Sequence, residues 1–159
     1  MPAALKIFAN EVTRGCASRY LVCVISIFLL LACGRQKHSE NGLEFRDWLV
    51  VKPVVAGAGT VAYGTIRNTS ATPRTLQKVE LACAESAELH ETVTTGDRAR
   101  MLSLGTPVIA PGETLVFAPG AKHIMVMRTQ KDVGETCNAV FTVDASAARF
   151  AIPVRPREN

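Results

Sequence analysis

The residues here that could do chemistry are gathered in one part of the chain. The sequence holds four methionines and three histidines. Beyond the initiator, every methionine falls between Met101 and Met127, and His90 and His123 lie in the same region. In "HIMVM", His123 to Met127, an extended strand would point His123, Met125 and Met127 one way and Ile124 and Val126 the other. Residues two apart on such a face sit about 7 Å apart at the backbone, close enough for both side chains to reach one ion. Thioether sulfur is a soft, neutral ligand suited to Cu(I), and imidazole suits copper in either oxidation state. Two Met and two His would make an uncharged site for a soft monovalent ion. It would need no thiolate, which an oxidising compartment would attack. The competing reading is packing, since Met fills irregular core gaps. Against it, the other apolar runs use Val, Leu, Ile and Phe as filler and no Met.

The N-terminal third indicates where such chemistry would take place. "YLVCVISIFLLL", Tyr20 to Leu31, is apolar throughout but too short for a spanning helix, which needs roughly 20 residues. It follows Lys6, Arg14 and Arg19 and ends in small residues, the pattern of a secretory signal. The junction "LLAC" with Gly34 resembles a bacterial lipobox, in which Cys33 is lipidated and becomes the first mature residue. A plain signal peptide with an incidental Cys33 is the alternative. Residues 1–32 are read as the lipoprotein signal, 33–42 as lipidated cysteine and tether, and 43–159 as the folded domain. In the tether, "GRQKHSEN" is polar and His38 reads as solvated. The protein would face the periplasm, held by lipid to a membrane that Gly34 does not identify. Of five cysteines, Cys16 and Cys23 leave with the signal and Cys33 carries lipid, so Cys83 and Cys137 remain as a disulfide candidate. Removing residues 1–32 takes away three basic residues and one acidic one, so the formal charge falls from +4 to +2. No basic cluster stands out, which gives nucleic-acid binding no support.

From Leu43 the sequence breaks into short runs rich in Val, Ile, Thr and Leu, punctuated by Gly, Pro, Asn and Asp. "LEFRDWLV", "GTVAYGTIRN", "RTLQKVELA", "ARMLSL", "ETLVFA", "KHIMVM", "CNAVFTVD" and "RFAIPV" are the candidate strands. No helical stripe exceeds two turns. Eight or nine strands at a spacing of about 8–12 residues predict an all-β antiparallel sandwich or barrel. "NTS" at Asn68 matches a glycosylation acceptor, a match with little meaning in a bacterial lipoprotein.

The spacing of the candidates is H-x10-M-x21-H-x-M across His90, Met101, His123 and Met125. It resembles that of the PCuAC-type periplasmic copper chaperones. So do "ELHE" at Glu88–Glu91, "IAPGETLVFAPGAKHIMVM" at Ile109–Met127 and "FAIPV" at Phe150–Val154. The resemblance runs from Leu43 to Val154. It implies a cupredoxin-like β-sandwich with a Cu(I) site of His90, Met101, His123 and Met125. It also implies a metallochaperone that delivers copper towards the CuA subunit of cytochrome c oxidase or works beside a Sco-type partner. "ETVTTGDRAR" lacks the extra methionines that many relatives carry there, and a lipid anchor would confine delivery to tether reach. Met127 reads as packing beneath the site or as an alternate ligand. Glu91 reads either as a residue orienting a ligand from behind or as a solvated carboxylate.

Other classes fit less well. Copper oxidases depend mainly on histidines, and only two here are plausible ligands. No Ser-His-Asp order or nucleophile elbow is present, so the chain is read as a non-enzyme. A blue copper site needs a thiolate with two histidines, and Cys137 lacks the downstream His and Met. A copper buffer without a dedicated recipient would need the same four ligands and stays open.

Overall fold

The computed structural model describes residues 37–157; the signal segment, Cys33 and the start of the tether lie outside that range. Every regular element described is a strand. They are β1 (Lys37–Glu40), β2 (Leu43–Val51), β3 (Thr60–Asn68), β4 (Arg74–Leu81), β5 (Ala84–Thr95), β6 (Arg98–Ser103), β7 (Val108–Ile109), β8 (Thr114–Phe117), β9 (Lys122–Thr129), β10 (Thr136–Val143) and β11 (Ser146–Arg155). The order β6-β5-β9-β3-β2 forms one layer, with β1 beside β2 and β8 beside β3. The order β11-β10-β4-β7 forms the other. A short parallel pairing, Val154 with Val50 and Arg155 with Val51, joins the two layers.

Alternation produces this arrangement. In β3 the residues Thr60, Ala62, Gly64, Ile66 and Asn68 face inward and those between them face out. The inner faces meet in a core that includes Phe45, Trp48, Phe117 and Phe141, with Ile66, Ile124 and Ile152 fully buried. Trp48 and Phe141 have ring centroids 4.7 Å apart, and Phe45 and Phe141 5.2 Å. Trp48 lies directly over Gly64, where an added Cβ would meet the indole at 2.3 Å. Its indole N–H is satisfied by the Thr65 carbonyl at 3.1 Å.

Three local readings change. The polar stretch expected to be tether joins the sheet: β1 pairs with β2 from Lys37 to Glu40. His38 is half-buried rather than solvated, stacked on Phe150 with centroids 4.6 Å apart. Asn68 is fully buried, so its "NTS" match is a structural knot instead of a glycan site. Its amide donates to the carbonyls of Thr72 and Ile109 at 2.7 and 2.9 Å, and its oxygen accepts from Ser70 N at 2.9 Å. That set satisfies a polar group which would otherwise be costly to bury. The described strands number eleven, three more than the quoted runs: β1 and two-residue β7 carry no apolar alternation to read, and β5, which carries His90, buries only Leu89 among its twelve residues.

Cys83 and Cys137 are joined in a disulfide with Cα atoms 5.5 Å apart. Cys83 precedes β5 and Cys137 lies in β10, so the bond ties the first layer to the second where β5 begins. Disulfides of this kind contribute about 2–5 kcal/mol in small exported domains.

Replacing Gly64 by Ala should be the most damaging single-methyl change in the core. The indole is buried and packs against Phe117 and Phe141, so yielding would displace other core rings. A loss of about 3 kcal/mol, at the upper end of overpacking penalties, is expected. Thermal unfolding would show it as a Tm drop of at least about 5 °C; an unchanged Tm would show that the Trp48 contact is not tight.

Candidate metal centre

β5 lies between β6 and β9, and pairing registers place the candidate residues. His90 is opposite His123, Glu88 opposite Met125, and Ser86 opposite Met127. On the other side His90 is opposite Ser103, and Thr92 opposite Met101. Leu89, Ile124 and Val126 are buried on the inner face. By period-two alternation, Glu88, His90, His123, Met125 and Met101 therefore share the outer face.

The two imidazoles form the centre of this group. Their ring centroids are 6.0 Å apart at an interplanar angle of 68°. His123 is only 5% exposed although it lies on the outer face. Its Nδ1 is 3.0 Å from the Ala121 carbonyl, so Nδ1 carries the proton and Nε2 keeps the lone pair. His90 has the opposite arrangement. Its Nε2 meets Glu88 Oε2 at 3.1 Å, while its Nδ1 is buried and has no partner. With Nε2–H donating to the carboxylate, Nδ1 of His90 is a buried nitrogen lone pair with nothing to receive. Unsatisfied buried polar atoms are rare and call for an explanation such as an ion.

The methionines flank this pair unequally. Met125 follows His123 on the same strand, half-buried, beside Glu88. Met101 lies on the far side of His90, 61% exposed, on a β6 that is exposed along its whole length. At about 3.4 Å per residue and about 4.8 Å between strands, the Met101 and Met125 backbones would be roughly 16 Å apart on a flat sheet. The register thus brings His90, His123 and Met125 together directly. Met101 stands apart, and only the strong twist and coil available to a two-stranded ribbon would bring it to them. The β5–β6 hairpin is such a ribbon: its outer part, Val93 to Arg100, is exposed on both faces.

Glu91 and Met127 stand differently towards this group. Glu91 has the opposite strand parity to His90, and its Oε1 accepts from Lys122 Nζ at 2.8 Å. Met127 is 36% exposed and has the strand parity of Met125, opposite Ser86. The carboxylate that touches His90 is Glu88, to which the sequence assigns no role. Its position two residues before His90 was the available signal, because a strand puts i and i+2 on one face. Among the described residues no three His, Cys, Asp or Glu side chains converge.

Over residues 43–154 the chain matches the family model described as "Putative lipoprotein LpqE-like". It belongs to the LpqE-like lipoprotein family. A relative named "Putative lipoprotein Lxx21020", from Leifsonia xyli subsp. xyli (strain CTCB07), is 32% identical over 105 residues. That alignment spans 63% of this LpqE-like chain and 63% of the relative's length. The copper-bound PCuAC domain from PmoF2 superposes with a TM-score of 0.63 at 15% identity, covering 77% of this chain and 99% of that one. The apo-DR1885 solution structure from Deinococcus radiodurans gives 0.55 at 22% identity, with coverages of 99% and 95%. The fold of this LpqE-like chain is therefore the cupredoxin-like β-sandwich of PCuAC domains.

The two hydrogen bonds dictate opposite tautomers, Nε2–H for His90 and Nδ1–H for His123. Long-range 1H–15N spectra of the domain should show both forms at neutral pH. Glu88→Ala should release the preference of His90 alone and leave the unfolding free energy within about 0.5 kcal/mol of wild type, because an exposed carboxylate contributes little to stability. Identical tautomers for the two rings would refute the assignment.

Proposed function

We propose that this chain is an envelope lipoprotein that binds Cu(I) and hands it to another protein. His90 would ligate through Nδ1, His123 through Nε2 and Met125 through sulfur, with Met101 closing the site from the β5–β6 hairpin. The observation that carries this reading is the juxtaposition of two imidazoles 6.0 Å apart, one holding a buried unpartnered nitrogen, beside a methionine on the same face. The H-x10-M-x21-H-x-M spacing and the PCuAC fold of the domain support it. The donor types favour a soft monovalent ion. An exposed Met101 on a ribbon would be the last ligand to bind and the first to be surrendered, which suits transfer better than storage. The resemblance of the motif points to the CuA centre of cytochrome c oxidase as destination, directly or through a Sco-type partner. No catalytic step is assigned. The family description and the lipobox-like "LLAC" support membrane attachment through lipidated Cys33, with residues 1–32 as signal, a short tether, and the domain from Leu43 onward.

Anaerobic Cu(I) titration of the unlipidated chain Gly34–Asn159 against a competing chelator tests the site. One tight equivalent is expected. His123→Ala and the Met101→Ala/Met125→Ala pair should each weaken it roughly a hundredfold, about 2.7 kcal/mol, and Met101→Ala alone roughly tenfold. Unchanged affinity in the double variant would mean the methionines are packing. Anchoring is read separately: the intact mass of the membrane-extracted protein should show acyl chains on Cys33, and a mature mass without them would sink the lipidation reading.

A further inference from the structure

At the end of the first layer, β2 gives way to a loop, "KPVVAGAG" at Lys52–Gly59, whose composition and shape the copper site does not explain. Val54 is 93% exposed and Val55 64% exposed, the two most exposed large apolar side chains described. They are held there rigidly. Pro53 restricts the backbone before them. Ala58 N donates to the Val55 carbonyl at 3.1 Å, closing the turn behind them. Thr60 Oγ1 donates to the Val51 carbonyl and Thr129 Oγ1 to the Ala58 carbonyl, both at 2.7 Å, which fixes the loop base on both sides. Behind the valines lies a cavity of about 260 Å³ whose walls include Met125 and Val61. The only charged residues in its lining are Lys52 and Arg157, and neither makes an ion pair among the described residues. Arg155 stands at the same end, its carbonyl accepting from Lys52 N at 2.6 Å.

Two exposed valines tipped out of a basic rim suit a surface that is apolar inside and anionic at its edge. The strand directions say which. β1 runs antiparallel to β2 with Lys37 opposite Arg46, so its N-terminal end points towards the end of the layer where this loop lies. Cys33 is four residues before Lys37 in sequence, a length of chain that reaches about 14 Å at most. Along β2, Arg46 and Val51 are five residues apart, about 17 Å. Covalent length alone therefore holds a lipid attachment at Cys33 within about 14 Å of Lys37, at the end of β1 that points this way.

We propose that the Lys52–Gly59 loop is a membrane-contact surface. Val54 and Val55 enter the headgroup region of an anionic bilayer, and Lys52, Arg155 and Arg157 face lipid phosphates, each basic residue adding to attraction for the surface. Met125 walls the cavity immediately behind the loop, so this contact sets the methionine side of the candidate copper site close to the membrane. Cargo would then pass to a partner at the bilayer instead of one in open periplasm. The proposal rests on the lipoprotein reading for its geometry but not for its test.

In the mature lipidated protein a Val55→Cys variant carries one free thiol, since Cys83 and Cys137 are bonded and Cys33 carries lipid. An environment-sensitive dye there, on vesicles of three parts phosphatidylcholine to one of phosphatidylglycerol, should shift to the blue and be quenched by spin-labelled lipid. The same dye on Ala71→Cys, at the opposite end of β3, should do neither. A Val55 dye that stays in water, or two dyes that respond alike, overturns the proposal and leaves the loop to a protein partner. The unlipidated chain Gly34–Asn159 decides the matter should Cys33 prove unmodified. It should sediment with the same vesicles, at least tenfold less in Val54→Ser/Val55→Ser, with Cu(I) binding unaltered. Equal sedimentation of that variant, or none by the wild type, overturns it. Loss of copper binding in both proteins would instead count against the metal site and leave the membrane result standing.

Discussion

The arrangement of the outer face depends on the pairing register of β5 with β9. Leu89, Ile124 and Val126 are buried on the inner side of these two strands. A slip of one residue would flip whichever strand moved, turning Leu89 outward and His90 inward on β5, or Ile124 and Val126 outward and His123 and Met125 inward on β9. Burial of large aliphatic side chains, each contributing about 1.5–3 kcal/mol, opposes that slip strongly. The juxtaposition of the two imidazoles is thus a consequence of core packing, and nothing on the outer face has to enforce it. The disulfide at the start of β5 adds a covalent limit on the same strand, and Trp48 against Gly64 holds neighbouring β2 and β3 together.

Over this rigid frame the donor atoms are prepared one at a time. The Ala121 carbonyl fixes one tautomer and Glu88 fixes the other, each through the ring nitrogen that the other histidine leaves free. In metal sites, partners of this kind fix the tautomer and the ring orientation of a histidine ligand. The group contains one carboxylate, and that one is engaged by His90, so hard divalent cations find little oxygen here. What remains unengaged is imidazole nitrogen and thioether sulfur, and this selectivity by ligand type is the chemical basis of the copper reading.

Much of this was legible in the sequence because turns and alternation are local signals. The Pro-Gly pairs at Pro111-Gly112 and Pro119-Gly120 bracket β8, and "LEFRDWLV" and "CNAVFTVD" fall on β2 and β10. The shared face of His123 and Met125 follows from strand parity alone. What the sequence hid is whatever depends on long-range partners. β1 is polar and is recognisable only through its ladder to β2 and the stacking of His38 on Phe150. Asn68 looks like a surface acceptor until the carbonyls of Thr72 and Ile109 close over it. Glu91 attracted notice by standing next to His90, yet adjacent residues on a strand face opposite ways, and Glu88 was the parity-matched choice.

The position of Met101 has a physical consequence that the motif spacing alone does not express. Equal spacing rules suggest four equivalent ligands, whereas the register supplies three near one another and a fourth across the hairpin. A ligand that must be brought in by coiling an exposed ribbon contributes less to affinity than its chemistry would allow, because ordering the ribbon costs conformational entropy. The same cost is recovered when the ribbon lets go. A carrier whose ligands were all as fixed as His123 would hold its ion well and release it slowly. One whose fourth ligand sits on a ribbon exposed on both faces has a low barrier at the point where a competing donor can enter. On this argument the exposure of β6, an apparent weakness in the sandwich, is the feature that would separate a donor of copper from a store of it.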